Sequence, residues 1–176
     1  MDDRELIRAA LQARRRAYSP YSRFQVGAAL LAASGKVYTG CNIENAAYSP
    51  SNCAERTAFF KAVSDGVYDF AAIAIAGGDK DARDLEICSP CGVCRQVMME
   101  FCSPKTFRIL LAKSEDEYEA FTLGELLPLG FGPGNLGISG KGAGDPGLAG
   151  LSGSGEGDEE YVPDSIKGPE RGQGHD

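Results

Sequence analysis

Ser51-Asn52-Cys53-Ala54-Glu55-Arg56-Thr57 stands between two strand-like segments and an apolar run that continues to Ser64. Pro50, Ser51 and Asn52 supply turn and capping chemistry, so about Cys53 to Ser64 reads as a helix. That helix decides the fold, because it separates an N-terminal hairpin from the strands that follow. Before it, Phe24 to Ala33 and Lys36 to Ile43 read as strands joined at Ser34-Gly35. Earlier still, Leu6, Ile7, Ala10, Leu11 and Ala17 recur at helical spacing, giving an opening helix that stops before Ser19-Pro20. After it, Ala71 to Ala76 reads as a short apolar strand and Ser89-Pro90 as the start of a helix reaching about Phe101. Thr106 to Ala112 reads as a buried strand, and Thr122 with Glu125 as the capping box of a last short helix through Leu127. The order predicts an α/β fold, a three-layer α/β/α sandwich whose mixed sheet carries helices on both faces.

The 176 residues suffice for one compact domain plus a tail, and composition changes abruptly after Leu136. From Gly137 to Asp176 the chain is rich in Gly, Ser and acids, without periodicity, and is expected to be a disordered tail. Three basic and eight acidic side chains there carry −5 of the net −7, leaving the first 136 residues near neutral. The acidic balance, with a pI near 4.8, disfavours DNA or RNA as substrate and suits a small uncharged ligand. No apolar run is long enough for a membrane span, and the acidic start Met1-Asp2-Asp3-Arg4-Glu5 lacks a secretory signal. A cytoplasmic protein is the expectation.

Cys53 and Glu55 are followed, at a domain-scale distance, by Pro90-Cys91-Gly92-Val93-Cys94. Three thiolates on one zinc ion leave the fourth position open for water, and a glutamate beside it can move protons. Helix N-termini favour thiolates through their partial positive charge. Three thiolates and one Zn²⁺ sum to −1, and Arg56 is placed to offset that charge by bonding to a ligand sulfur. The only histidine, His175, lies in the tail, so the cysteines must suffice, with Cys88 as a spare candidate. Two plainer readings stay open at this point: a redox pair with a buried thiol, and a structural four-cysteine zinc or Fe–S site. Glu55, two residues after Cys53, favours the open, hydrolytic arrangement. Cys41 and Cys102 read as small buried residues.

These motifs, together with Ser19-Pro20-Tyr21-Ser22, Phe24 to Ala29, Gly40 to Ser49 and Phe131-Gly132-Pro133, resemble the small homotetrameric zinc-dependent cytidine deaminases over residues 4 to 136. The resemblance implies hydrolytic deamination of cytidine and 2′-deoxycytidine, in pyrimidine salvage. It implies zinc held by Cys53, Cys91 and Cys94, with Glu55 as the proton shuttle. Asn42 and Glu44 would bond the ribose hydroxyls, Phe24 would wall the base pocket, and the backbone at Ala54, with Ser89 as a further candidate, would read the pyrimidine edge. Ala46, Tyr48 and Phe131 would reach a neighbouring subunit's pocket, so that a homotetramer shares its sites. The Gly-rich tail departs from the family pattern. A deaminase of a blasticidin-type nucleoside, a polynucleotide editor and a noncatalytic zinc-binding module are the alternatives weighed against this reading.

Overall fold

In the computed structural model, which describes residues 1–138, the chain begins with helix α1 (Asp3–Arg14). Asp2 and Glu5 form a reciprocal capping box at its start. Strands β1 (Phe24–Ala32) and β2 (Val37–Cys41) form the expected hairpin, and Gly35 turns it at φ 89°. Helix α2 (Ala54–Ser64) then crosses to strand β3 (Phe70–Asp79). Helix α3 (Gly92–Phe101) leads to β4 (Arg108–Ala112), β5 (Tyr118–Thr122) and the short helix α4 (Leu123–Leu126). A 3₁₀ turn over Pro133–Leu136 follows.

The sheet runs β2-β1-β3-β4-β5, with only β3 and β4 parallel among these neighbours. The parallel pair is where α3 crosses over, as a parallel connection requires. Period-2 alternation splits the sheet's side chains between two cores. Ala28, Leu30, Ile73, Ile75, Ile109 and Leu111 face α2 and α3. Ala29, Ala72, Ala74, Ala76, Leu110 and Ala112 face α1. The α1 side is mostly alanine because the helix lies close to the strands: a Cβ on Gly27 would collide with the backbone of Ala10 and Arg14. Gly40 is constrained in the same way beneath α2, against Ala54 and Ala58. Helices therefore cover both faces, as the sequence predicts.

Several boundaries differ from expectation: α1 ends at Arg14, short of Ala17; β2 spans Val37–Cys41 rather than Lys36–Ile43; and β4 starts at Arg108 rather than Thr106. β3 continues past Ala76 to Asp79, because Gly77 and Gly78 pair with Val26 and Gln25. Cys88 and Leu85 occupy the space that side chains on those glycines would need. The helices after Asn52 and Ser89-Pro90 begin later than predicted, with Cys53 and Cys91 themselves at the N-cap positions and no side-chain cap on either. Arg95 Nε donates to the Pro90 carbonyl at 2.7 Å, which holds that residue in the entry turn and outside the helix. The expected tail falls outside the described residues from residue 139 onward.

Candidate metal and catalytic site

A cysteine is a poor N-cap, since it offers no strong acceptor to the free N–H groups of the first turn. Two helices here begin on one. Cys53 and Cys91 both adopt extended backbone, and Cys94 follows on the first turn of α3. The Cys53 and Cys91 sulfurs lie 3.8 Å apart, and those of Cys91 and Cys94 3.6 Å apart. Tetrahedral zinc with Zn–S bonds of about 2.3 Å places its sulfurs about 3.8 Å from one another. The donor set and its spacing therefore fit zinc. Among the described residues no other cysteine, histidine or carboxylate joins this cluster. Cys88 does not complete it: its sulfur packs over Gly77, and burial pushes its thiol up to about 11. The four-cysteine alternative thus lacks its fourth sulfur. Cys102 is buried in the core as expected, whereas Cys41 is only half-buried and donates to the Arg16 carbonyl at 3.3 Å.

The electrostatics favour one thiolate first. Hydrogen bonding from the Cys94 thiol lowers Cys53 to about 5, with help from Arg56 and Cys91. Cys94 is raised in turn, first by that contact with Cys53 and then by burial. Arg56 Nη2 reaches Cys53 Sγ at 3.6 Å, the bond anticipated from the sequence, and its Nε is buried without a partner among the described residues. Glu55 is only 4 % exposed, in the first turn of the helix that Cys53 caps. Burial, and then the Cys53 charge, raises its carboxyl to about 7, which suits a group that must both take and return a proton. Ala54, beside it, is fully buried at the start of α2.

The residues expected to read a nucleoside fall into two groups. Phe24, Asn42 and Glu44 are brought together. Asn42 Nδ2 donates to the Phe24 carbonyl and its Oδ1 accepts from Val26 N, each at 2.8 Å, so the side chain bridges onto the start of β1. One amide hydrogen and one oxygen lone pair remain available on Asn42. A cavity of about 400 Å³ is lined by Tyr21, Ser22, Glu44, Tyr48 and Ser51, and the cysteines are not part of that lining. The remaining three, Ala46, Tyr48 and Phe131, are all exposed, and Tyr48 also lines the Glu44 cavity of its own chain. Gln96 Nε2 holds the Phe131 carbonyl at 2.9 Å and so ties that loop to α3. Arg95 Nη1 likewise holds the Leu126 carbonyl at 2.7 Å. Sequence reasoning assigned no part to Ser22, Arg95 or Gln96, whose partners are backbone groups or lie far along the chain. A separate cavity of about 580 Å³ lies against α1 and includes Arg8, Arg14, Arg15 and Arg83 in its lining, away from the cysteines.

Comparison with known proteins adds to this geometry. Residues 1–110 match the family model described as the cytidine and deoxycytidylate deaminase zinc-binding region. A cytidine deaminase of Sporosarcina psychrophila is 50% identical over 136 residues, covering 77% of this chain and 96% of that protein. One from Halalkalibacterium halodurans is 51% identical over 131 residues, covering 74% and 95%. The crystal structure of cytidine deaminase from Burkholderia pseudomallei superimposes with a TM-score of 0.67 at 46% identity, covering 74% of this chain and 100% of that one.

Proposed function

Since the chain belongs to the cytidine and deoxycytidylate deaminase family, we propose that its cysteine–carboxylate site hydrolyses cytidine to uridine and ammonia, with 2′-deoxycytidine as a second substrate. The observation that carries this reading is three clustered sulfurs, two of their pairs at zinc spacing and all within 4.8 Å, with one buried, proton-loving carboxyl beside them. Cys53, Cys91 and Cys94 hold the metal, which when bound supplies a nucleophilic water at neutral pH. Glu55 accepts a proton from the attacking water and passes it to ring N3 as the C4–O bond forms. It then delivers a proton to the exocyclic nitrogen as the C4–N bond breaks and ammonia leaves. Arg56 balances the surplus negative charge of three thiolates through its contact with Cys53.

Phe24 walls the base, the Ala54 backbone reads the pyrimidine edge, and Asn42 and Glu44 bind the sugar hydroxyls. Ala46, Tyr48 and Phe131 contribute to a neighbouring subunit's site in a homotetramer, a reading supported by their exposure. Six free thiols, three of them needed reduced, suit a reducing compartment and so a cytoplasmic role in nucleoside salvage. The test is turnover of cytidine by the zinc-loaded full chain, followed by loss of ring absorbance and by ammonia release. Turnover proportional to bound zinc is expected. A protein that holds one zinc and leaves cytidine intact would overturn the assignment.

A further inference from the structure

We propose that Ser22 is a positioning residue for the sugar: its hydroxyl fixes the Glu44 carboxylate so that a single acceptor site is left for a ribose hydroxyl. The inference rests on the cytidine reading above. Glu44 lies in the loop between β2 and α2, where an unrestrained glutamate would keep its side-chain rotamer freedom. Here one dipeptide immobilises it. Tyr21 N and Ser22 N donate to Oε2 at 2.9 and 3.2 Å, and Ser22 Oγ donates to Oε1.

The direction of the hydroxyl bond is forced. Phe24 N donates to Ser22 Oγ at 3.0 Å, and an amide can only donate while a carboxylate can only accept. The Ser22 proton must therefore point at Glu44. A carboxylate offers about four acceptor positions, of which these three donors use three. The remaining one is on Oε1, and Glu44 lines a cavity together with Tyr21, Ser22, Tyr48 and Ser51. Ser22 thereby links the backbone of Phe24, the base wall, to the carboxylate that meets the sugar. Arg23 sits between them at φ 60°, a conformation that a side-chain-bearing residue adopts at a cost. The hydrogen bond from Ser22 is also the main reason that the Glu44 carboxyl lies below its ordinary range.

Ser22→Ala and Ser22→Thr in the zinc-loaded full chain test this, with cytidine, 2′-deoxycytidine and 2′,3′-dideoxycytidine as substrates. Ser22→Ala should raise KM for cytidine about tenfold, the effect of one lost hydrogen bond. Its kcat should change much less, and Ser22→Thr should restore KM. The penalty should vanish with the dideoxy nucleoside and in a Glu44→Gln background, because there is then no hydroxyl or no carboxylate to align. Carbon-13 titration of Glu44 gives a readout independent of turnover: its pKa should rise in Ser22→Ala and return in Ser22→Thr. An equal loss with all three nucleosides, a loss confined to kcat, or an unmoved Glu44 titration would overturn the proposal. If the wild-type chain leaves cytidine untouched, the activity assignment fails by itself, while the titration still decides the clamp.

Discussion

Glu55 and Arg56 are adjacent in sequence and opposite in electrostatic setting. The buried carboxyl of Glu55 is held high by desolvation, whereas the Arg56 guanidinium is committed to a sulfur. Glu55→Ala should keep one zinc per chain, because the carboxyl is outside the sulfur cluster, yet lose at least ~10²–10⁴-fold in kcat. Metal analysis alongside turnover checks both halves, and near-normal turnover in the zinc-loaded variant would remove Glu55 from the chemistry. Arg56→Gln takes a positive charge from beside three thiolates. The acid limb of its pH–rate profile should therefore move upward by about one unit, since deprotonation near the sulfurs becomes harder. An unchanged limb would confine Arg56 to a structural role. Both residues stood out in the sequence because they lie two and three positions after a candidate ligand cysteine; either alone would say little. Ser22 did not. A serine in a polar loop usually bonds its own backbone, and nothing local shows that its partner lies 22 residues away.

Helix α2 carries Cys53 at its cap and Glu55 in its first turn, and Gly40 of β2 lets it approach the sheet. Gly40→Ala would drive a methyl group into the Ala54 and Ala58 backbone, which cannot yield as a flexible side chain does. It should cost about 1–3 kcal/mol by overpacking and also weaken zinc retention. Gly134 serves as the control: a Cβ there meets open space, so Gly134→Ala should leave zinc binding unchanged. Denaturant midpoints and metal content read both variants. At the other face, Asp3 of α1 accepts from Arg108 Nη1 of β4 at 2.9 Å, and that pairing is the main cause of its lowered pKa. A carboxyl depressed by folding stabilises the native state above its unfolded pKa, and that contribution fades as pH falls through the native value. Asp3→Asn should thus cost at most about 1 kcal/mol near neutral pH for this partly exposed pair, and match wild type in strong acid. Most elements were readable from period and punctuation, but the short, half-exposed β5 (Tyr118–Thr122) was not given a range. Element ends were not readable where cysteines replaced ordinary caps and where Gly77 and Gly78 extended a strand without side chains to signal it.

At the scale of the whole molecule, the apolar side chains Phe24, Ile43, Tyr48, Val93, Leu129, Phe131 and Leu136 remain exposed in one copy of the chain. Two of the three residues with positive φ outside glycine, Tyr48 and Leu129, are in this set, so backbone held at a cost presents these side chains to solvent. Strain and exposure together are explained if a second copy covers them and each site is completed across the boundary. Complementation follows from that geometry. Glu55→Ala subunits keep Phe131, and Phe131→Ala subunits keep Glu55, so a mixed assembly can rebuild an intact site that neither parent contains. With random equal mixing and one neighbour donating each Phe131, about one quarter of the sites pair both wild-type groups. Co-refolding the two variants should therefore recover about that fraction of wild-type turnover, with sedimentation showing the same assembly in every sample. Phe131 is 57% exposed, so its truncation should leave the subunit fold intact. A mixture no more active than the better parent would mean that each chain builds its site alone, and would leave the exposed apolar surface to another partner.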